Sequence, residues 1–194
     1  MFDKFESFIT AQATLTREEL GLIRSLAVQK KVRKRQLLLQ EGDVCQHKIF
    51  IAEGLLKTYT LKDDGTEHIL RFSPENTWTT DAVSMESQQP SRFNIEALED
   101  TVVLQWTKTD IQQLIAGIPS FKAYVEKLIS SMLYLSYDRI LMNISYTSEE
   151  KYQDFITAFP DVFRRVPLHM VASYLGVSRE TLSRIRHAQL RQQR

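Results

Sequence analysis

A group of polar side chains near the carboxyl end of the chain is spaced to lie together on one helix. Intervals of three and four residues place five of them on the same side: Arg179, Glu180, Ser183, Arg184 and His187. Arginine can donate two hydrogen bonds to guanine O6 and N7, and glutamate can accept one from cytosine N4. Residues of these types in this pattern predict a helix that reads base edges and contacts phosphates in double-stranded DNA.

Two helices joined by a tight turn would hold that polar face in place, and the stretch 166–186 has the residues for this arrangement. Pro167 suits a helix start because its missing N–H would be unbonded there. Gly176 lets the backbone end the first helix and turn, and Ser178 can cap the second. Five apolar positions face inward: Val171, Ala172, Leu175, Leu182 and Ile185. We predict a helix-turn-helix with a recognition helix over 178–188; the alternative is an ordinary helix pair with a solvated charged face.

The charge of the chain is unevenly distributed. Residues 164–194 contain seven arginines, no lysine and one acid, Glu180, so this end carries +6. The residues before it carry −5, which leaves the overall net charge at +1. An acidic body joined to a basic end is typical of a sensor linked to a module that binds a polyanion.

Composition and length indicate a globular protein with its own core. Of its 194 residues, 43% are hydrophobic and 25% are charged. No run of about 18 apolar residues is present and the first residues lack a signal pattern, so we expect a cytoplasmic protein without membrane contact. Cys45 is the single cysteine, which excludes an internal disulfide and a four-cysteine metal or iron–sulfur site within one chain.

A roll of short strands is predicted for the first half of the chain. Thr16 and Glu19 form a capping box that opens a helix over 16–27. After it, short apolar or alternating runs recur between turn residues, and Asp64-Gly65 is the strongest hairpin signal. The runs are 37–39, 47–51, 55–61, 68–72, 92–98 and 102–106. Strands this short and close favour a small antiparallel barrel or double-sheet roll, which can enclose a ligand.

A long apolar stripe follows the strands. A helix opens at 109–112, Ile118-Pro119 interrupts it, and from Phe121 to Ile144 apolar residues recur at near-heptad spacing. Because the stripe is too wide for one covering surface, the roll can take one side and a matching helix of a second subunit the other. This favours a homodimer; the alternative is that one chain buries the whole stripe.

A second capping box opens the carboxyl-terminal part of the chain. Thr147 and Glu150 have the required spacing, and Pro160 helps to stop the helix that they start. Four residues of this helix are expected to point inward: Tyr152, Phe155, Ile156 and Phe159.

The order of these elements resembles the Crp–Fnr family of bacterial transcription regulators, and 178–184 is similar to that family's recognition-helix motif. The resemblance implies an α+β fold: an N-terminal antiparallel β-roll of the double-stranded β-helix type over 1–117, a long dimerisation helix over 118–145, and a helix-turn-helix domain over 146–194. Residues 188–194 are too short and polar for a β-hairpin wing, so little or no wing is expected. Family members act as homodimers on two-fold DNA sites and touch RNA polymerase.

Carried over position by position, the resemblance assigns roles within the recognition helix. Arg179, Glu180 and Arg184 become the candidates for reading bases. The hydroxyls of Ser178, Thr181 and Ser183 become candidates for holding phosphates, which sets register without reading sequence. Glu180 has an alternative role, in which it only steers Arg179 through an ion pair. His187 completes the outward face.

The same resemblance indicates where a ligand would lie. Nucleotide-binding members hold the ribose and cyclic phosphate with a Gly-Glu pair and an Arg-Ser-Ala run. Here Thr79-Thr80 stand near the first position with Asp81 beside them, and Ser91 aligns with the phosphate arginine. Arg92 falls one place later, which on a strand is the opposite face unless a bulge restores it. The missing arginine disfavours a cyclic nucleotide as cofactor, so we expect a different small ligand or none.

Other chemistries have weaker support in the sequence. A cupin-like metal enzyme would need converging histidines, and His47 and His68 lack the His-x-His spacing of such sites. Cys45 would sense oxidants if Lys48 or His47 stabilised its thiolate. No nucleophile signature or phosphate-cradling glycine loop is present, so the chain is predicted not to be an enzyme. The remaining alternative is a ligand-sensing regulator that uses its carboxyl-terminal helices for protein contacts only.

Overall fold

Two antiparallel sheets face each other in the amino-terminal half of the chain. The computed structural model describes residues 2–192, with side chains as far as Gln189. The strands are β1 (Val28–Val32), β2 (Leu37–Leu39), β3 (His47–Glu53), β4 (Leu56–Leu61), β5 (Glu67–Ser73), β6 (Trp78–Thr79), β7 (Asn94–Ala97) and β8 (Thr101–Thr107). One sheet has the order β1-β8-β3-β6 and the other β2-β7-β4-β5. The predicted antiparallel β-roll is confirmed, and the predicted runs lie on β2, β3, β4, β5, β7 and β8.

The two central strands of the first sheet, β3 and β8, are buried on both faces because their residues alternate between two cores. Ile49, Ile51 and Val103 point between the sheets, where they pack with apolar residues of the second sheet. Phe50 and Trp106 point to the other side, into a core shared with the helices. This alternation explains why β3 and β8 are nearly continuous apolar runs.

Helices precede, interrupt and follow these strands along the chain. They are α1 (Phe2–Thr10), α2 (Arg17–Leu26), α3 (Ala82–Ser87), α4 (Lys108–Gly117), α5 (Pro119–Ser145), α6 (Ser148–Ala158), α7 (Pro160–Arg165), α8 (Leu168–Leu175) and α9 (Arg179–Gln192). The capping box of Thr16 and Glu19 is confirmed, as is that of Thr147 and Glu150. The helix expected at 109–112 begins at Lys108, because Thr107 caps it by accepting from the Asp110 amide.

Sequence reasoning did not predict α1, although its apolar residues have helical spacing. Phe2, Phe5 and Ile9 are buried, and the Phe5 ring contacts Trp78 edge-on at 5.8 Å between ring centroids. The other elements that were not predicted are β1, β6, α3 and α7, which are short or lie on exposed surfaces.

By their contacts, the residues group into two compact units. The first contains the chain up to Thr58 together with Phe72–Ser131, and the second contains Tyr59–Arg71 and the chain from Met132 onwards. The tip of the β4–β5 hairpin therefore belongs to the helical unit, and α5 runs through both. The boundaries predicted from the sequence, after 117 and 145, remain predictions.

The apolar stripe of α5 is only partly covered. Phe121 and Val125 are buried in the first unit, where Trp78 Nε1 also donates to the Tyr124 hydroxyl at 2.7 Å. Further along, Ile140 is 54% exposed and Ile144 79%. The alternative in which a single chain buries the whole stripe is therefore wrong.

Gly54 stands where no side chain fits, which provides a test of the roll. Its φ is +96°, and a Cβ there would lie 2.4 Å from Thr101 Oγ1 and 2.8 Å from the Thr101 Cα. We expect Gly54→Ala to lower the free energy of unfolding by about 3 kcal/mol or more, from overpacking and backbone strain together. Thermal unfolding followed by tryptophan fluorescence measures the loss.

Gly65→Ala is the matched control for that substitution. Gly65 also has a positive φ, +79°, but no atom lies within 4 Å of its would-be Cβ. Only the backbone strain of about 1–2 kcal/mol remains there. Equal losses in the two variants would show that the contact with Thr101 does not matter.

Candidate nucleic-acid interface

The turn between α8 and α9 has the geometry that its residues predict. Gly176 adopts the left-handed conformation, with φ +68° and ψ 32°, and its N–H donates to Ala172 and Ser173 carbonyls. The Val177 N–H donates to the Ala172 carbonyl at 3.1 Å, so the last carbonyls of α8 are satisfied. Ser178 then caps α9, because its Oγ accepts from the Thr181 amide at 3.1 Å.

The inward and outward faces of α9 are also as predicted. Leu182 and Ile185 are buried, and Val171, Ala172 and Leu175 are buried on α8. Arg179, Glu180, Arg184 and His187 are exposed, while Thr181 and Ser183 are half-buried. The helix extends beyond the predicted end at 188 to Gln192, whereas residues 193 and 194, part of the segment expected to form no wing, lie outside the described residues.

The side chains at the start of α9 include both hydrogen-bond acceptors and hydrogen-bond donors. A hydrogen bond from its own backbone N–H, and then one from the Ser178 side chain, hold the pKa of the Glu180 carboxyl below its ordinary value. No ion pair within 4 Å joins Glu180 to Arg179 among residues 2–189, although the nearby charge of Arg179 also lowers that pKa. Arg184 Nη2 lies 3.4 Å from Thr181 Oγ1, and Ser178 Oγ lies 3.0 Å from the same atom. Of the three hydroxyls assigned to phosphates, Ser178 is therefore engaged in capping.

Aromatic packing supports the two helices from behind. The Phe155 ring lies 5.2 Å from the Tyr174 ring, between centroids, and Tyr152 packs edge-on against Phe163 at 5.9 Å. Phe159 was expected to point inward with Phe155, but it is 37% exposed. It ends α6 with φ −130° and ψ 53°, so its ring lies at the rim of this cluster.

Two residues that the sequence did not single out tie α8 to its surroundings. Ser173 Oγ accepts from the Ile69 amide at 3.0 Å and donates to the Glu67 carbonyl at 2.6 Å. The guanidinium of Arg139 lies 3.9 Å from the centroid of the Tyr174 ring and donates to the Tyr174 carbonyl at 2.9 Å. The same guanidinium donates to the Leu70 carbonyl and, at 3.4 Å, to that of Ile69.

The candidate ligand residues lie near one another, with one exception. Thr79 is buried, and Thr80 Oγ1 donates to the His47 carbonyl at 3.1 Å. Asp81 caps α3 by accepting from the Ser84 amide at 3.1 Å, and its second oxygen accepts from Ser91 Oγ at 2.7 Å. Arg92 is exposed and makes none of these contacts.

These residues do not fit a cyclic phosphate. Ser91, at the position aligned with the phosphate arginine, is buried and hydrogen-bonded to the Asp81 carboxylate. An acidic group in this place would repel a phosphate, and no arginine from the adjacent position turns toward it.

The other candidate groups in the roll take structural positions. Cys45 is buried in the core between the sheets, with Sγ 3.4 Å from Thr80 Oγ1. Burial is the main cause that lowers the pKa of His47, and the charge of Lys30 adds to it. Within residues 2–189, no three histidine, cysteine or acidic side chains come together as metal ligands.

Comparison with known proteins gives consistent results across most of the chain. A family model described as the cyclic nucleotide-binding domain matches residues 29–117. An anaerobic regulatory protein of Pasteurella multocida is 28% identical over 185 residues, which cover 89% of this chain and 67% of the relative. The fumarate and nitrate reduction regulatory protein of Yersinia pestis is also 28% identical, over 89% of this chain and 73% of its own.

Solved structures have the same fold. FixK2 from Bradyrhizobium japonicum superposes with a TM-score of 0.73 at 20% identity, over 86% of this chain and 85% of its own. The catabolite activator protein of Thermus thermophilus gives 0.57 at 23% identity, over 92% and 85%. No helix in the described part of this chain is long and apolar enough to cross a membrane.

Proposed function

We propose that the chain is a regulator of the Crp–Fnr family, and that it binds double-stranded DNA as a homodimer and thereby regulates transcription. The observation that supports the proposal most strongly is α9 itself. Its buried residues anchor it on α8, while two arginines and a carboxylate are exposed on its first two turns.

Within this helix, Arg179 and Arg184 are our candidates for base contacts. Arginine is the residue that most often makes specific contacts in the major groove, where it bonds guanine twice. Glu180 is held in its charged form at the start of α9, which suits an acceptor for cytosine N4. Thr181 and Ser183 remain candidates for phosphate contacts, as does the hydroxyl of Ser178.

The homodimer is supported by the exposed part of α5. Apolar side chains this exposed on a long helix are unfavourable in water, and a second copy of the same helix would cover them. Two copies would also present two copies of α9, which suits two half-sites in a two-fold DNA site.

The residues of the roll disfavour a cyclic nucleotide as the effector of this regulator. The Ser91–Asp81 hydrogen bond places a carboxylate where the phosphate would need a cation. A neutral or cationic effector in the roll, or none, agrees with this arrangement.

Selection of bound sequences from random double-stranded DNA tests the function. We expect one two-fold site to be enriched, and its affinity to fall by about 10³-fold or more between 50 and 200 mM salt if six or more phosphates are contacted. Fluorescence anisotropy of the selected site measures this slope. A protein that acts through protein contacts alone would enrich no sequence, and this result would refute the proposal.

A further inference from the structure

The contacts of Arg139 and Ser173 join three elements of the second unit at one place. Ser173 belongs to α8, Arg139 to α5, and both bond the backbone of β5. Arg139 and Ser173 lie 69 to 106 positions along the chain from the β5 residues that they bond. The contacts therefore fix α8 against two elements that lie far from it in sequence.

Ser173 acts as a substitute for a neighbouring strand. β5 is the last strand of its sheet, and residues 67 and 69 point their backbone groups to the same edge. The Ser173 hydroxyl accepts from the Ile69 N–H and donates to the Glu67 carbonyl, as a paired strand would. One hydroxyl thus docks α8 onto the strand edge.

Arg139 connects α5 to both β5 and α8. Its guanidinium bonds carbonyls of both β5 and α8, and it stacks on the Tyr174 ring. A planar group with five N–H donors can do all of this at once, whereas the lysine ammonium cannot. Burial raises the pKa of the Tyr174 hydroxyl, and both Arg139 and Tyr174 are half-buried.

None of these contacts involves the outward face of α9. Arg179 and Arg184 remain exposed while α8 is held, and α8 and α9 are packed together. The contacts of Arg139 and Ser173 therefore leave the outward face of α9 free to contact DNA. They also hold α8 and α9 against the part of α5 that bears the exposed apolar stripe.

We propose that Arg139 and Ser173 form a latch that positions α8 and α9 relative to α5, and so sets the distance between the two reading helices of the DNA-bound dimer. This inference rests on the proposed function. Both residues are positioning residues, because neither lies on the face that would touch DNA. Half-sites on DNA are about 34–36 Å apart, and each added base pair moves one of them by about 3.4 Å and turns it around the axis. A latched dimer should therefore accept one spacing.

The test compares DNA binding by the full-length protein and by a double variant, Arg139→Ala with Ser173→Ala. The probes are the selected two-fold site, versions with one or two base pairs inserted or removed at its centre, and a single half-site. We expect the double variant to bind the site with the original spacing about tenfold more weakly than the parent protein does, which corresponds to a loss of about 1.4 kcal/mol of binding free energy. Its affinity for the sites with altered spacing should not fall, and its affinity for the single half-site should be unchanged. Ser145→Ala is the control, since its Oγ bonds only the Leu141 carbonyl of its own helix.

Hydrogen exchange at the Ile69 amide provides a readout that needs no DNA. In Ser173→Ala this amide should exchange about tenfold faster than in the parent protein, because its acceptor is gone. The latch would be refuted if the double variant bound half-sites normally and kept the spacing preference of the parent protein, or if the Ile69 amide exchanged at an unchanged rate in Ser173→Ala. Either result would leave the proposed function standing. Absence of sequence-selective binding in the parent protein would overturn both.

Discussion

A glutamate at Ile140 is expected to convert the protein into a monomer and to weaken binding to the two-fold site by about 10²–10⁴-fold, the gain that joining two binding modules gives. Ile140 is exposed in the single chain, together with Leu133 and Ile144 on the same side of α5. In a dimer these side chains would face their copies, and an unpaired carboxylate buried there costs several kcal/mol. Sedimentation velocity gives the oligomeric state, and anisotropy with the selected site gives the affinity.

Ser131→Glu is the matched control for this substitution. Ser131 is exposed on the same helix and lies nine residues before Ile140, which is two and a half turns and hence the opposite side. This variant should stay dimeric and keep its DNA affinity. A dimer in the Ile140→Glu variant would show that the apolar stripe has another partner.

Replacement of Arg179 and Arg184 together by alanine should remove the sequence preference. Each bidentate contact to guanine contributes about 1–3 kcal/mol of discrimination, so loss of two such contacts should weaken binding by about 30-fold or more at each half-site. Binding to unrelated DNA should fall much less, because phosphate contacts provide most of it. The measurement is anisotropy with the selected site and a scrambled duplex of equal length.

An arginine outside the reading face serves as the control for charge. Arg164 is exposed on α7 and pairs with Asp161, three residues before it. Its replacement by alanine removes one positive charge and should leave the preference for the selected site intact. If the double variant still bound that site as tightly as the parent protein, the assignment of Arg179 and Arg184 to bases would be wrong.

The helix-turn-helix could be predicted from the sequence because its signals are local. Gly176 has the left-handed backbone that ends α8, and the Ser178 cap lies within three residues of the amide that it bonds. Leu182 and Ile185 follow the helical period. Each of these features depends on neighbours in the chain, so the residue types alone indicate the structure.

The latch could not be predicted, for the opposite reason. A serine and an arginine within amphipathic helices are ordinary surface residues until the strand edge that they contact is known. Ser173 meets the Ile69 amide across 104 positions, and no periodicity in either segment indicates this pairing. In the same way, α3 is a single short helix capped by Asp81, within a stretch that reads as a loop.

α1 is a different case, because the spacing of its apolar residues does indicate a helix although none was predicted there. Phe2, Phe5 and Ile9 follow the spacing of a helical face, and all three are buried. This spacing is typical of an amphipathic helix that packs on the roll.

The docking of Ser173 on β5 also has a consequence for solubility. An uncovered outer strand offers a row of N–H and carbonyl groups to any other extended chain, which is a route to aggregation. Ser173 occupies the Ile69 N–H and the Glu67 carbonyl, and Arg139 bonds the Ile69 carbonyl. The contacts that hold α8 thus also cap a sheet edge, and variants that release α8 should be more prone to strand-to-strand association at high concentration.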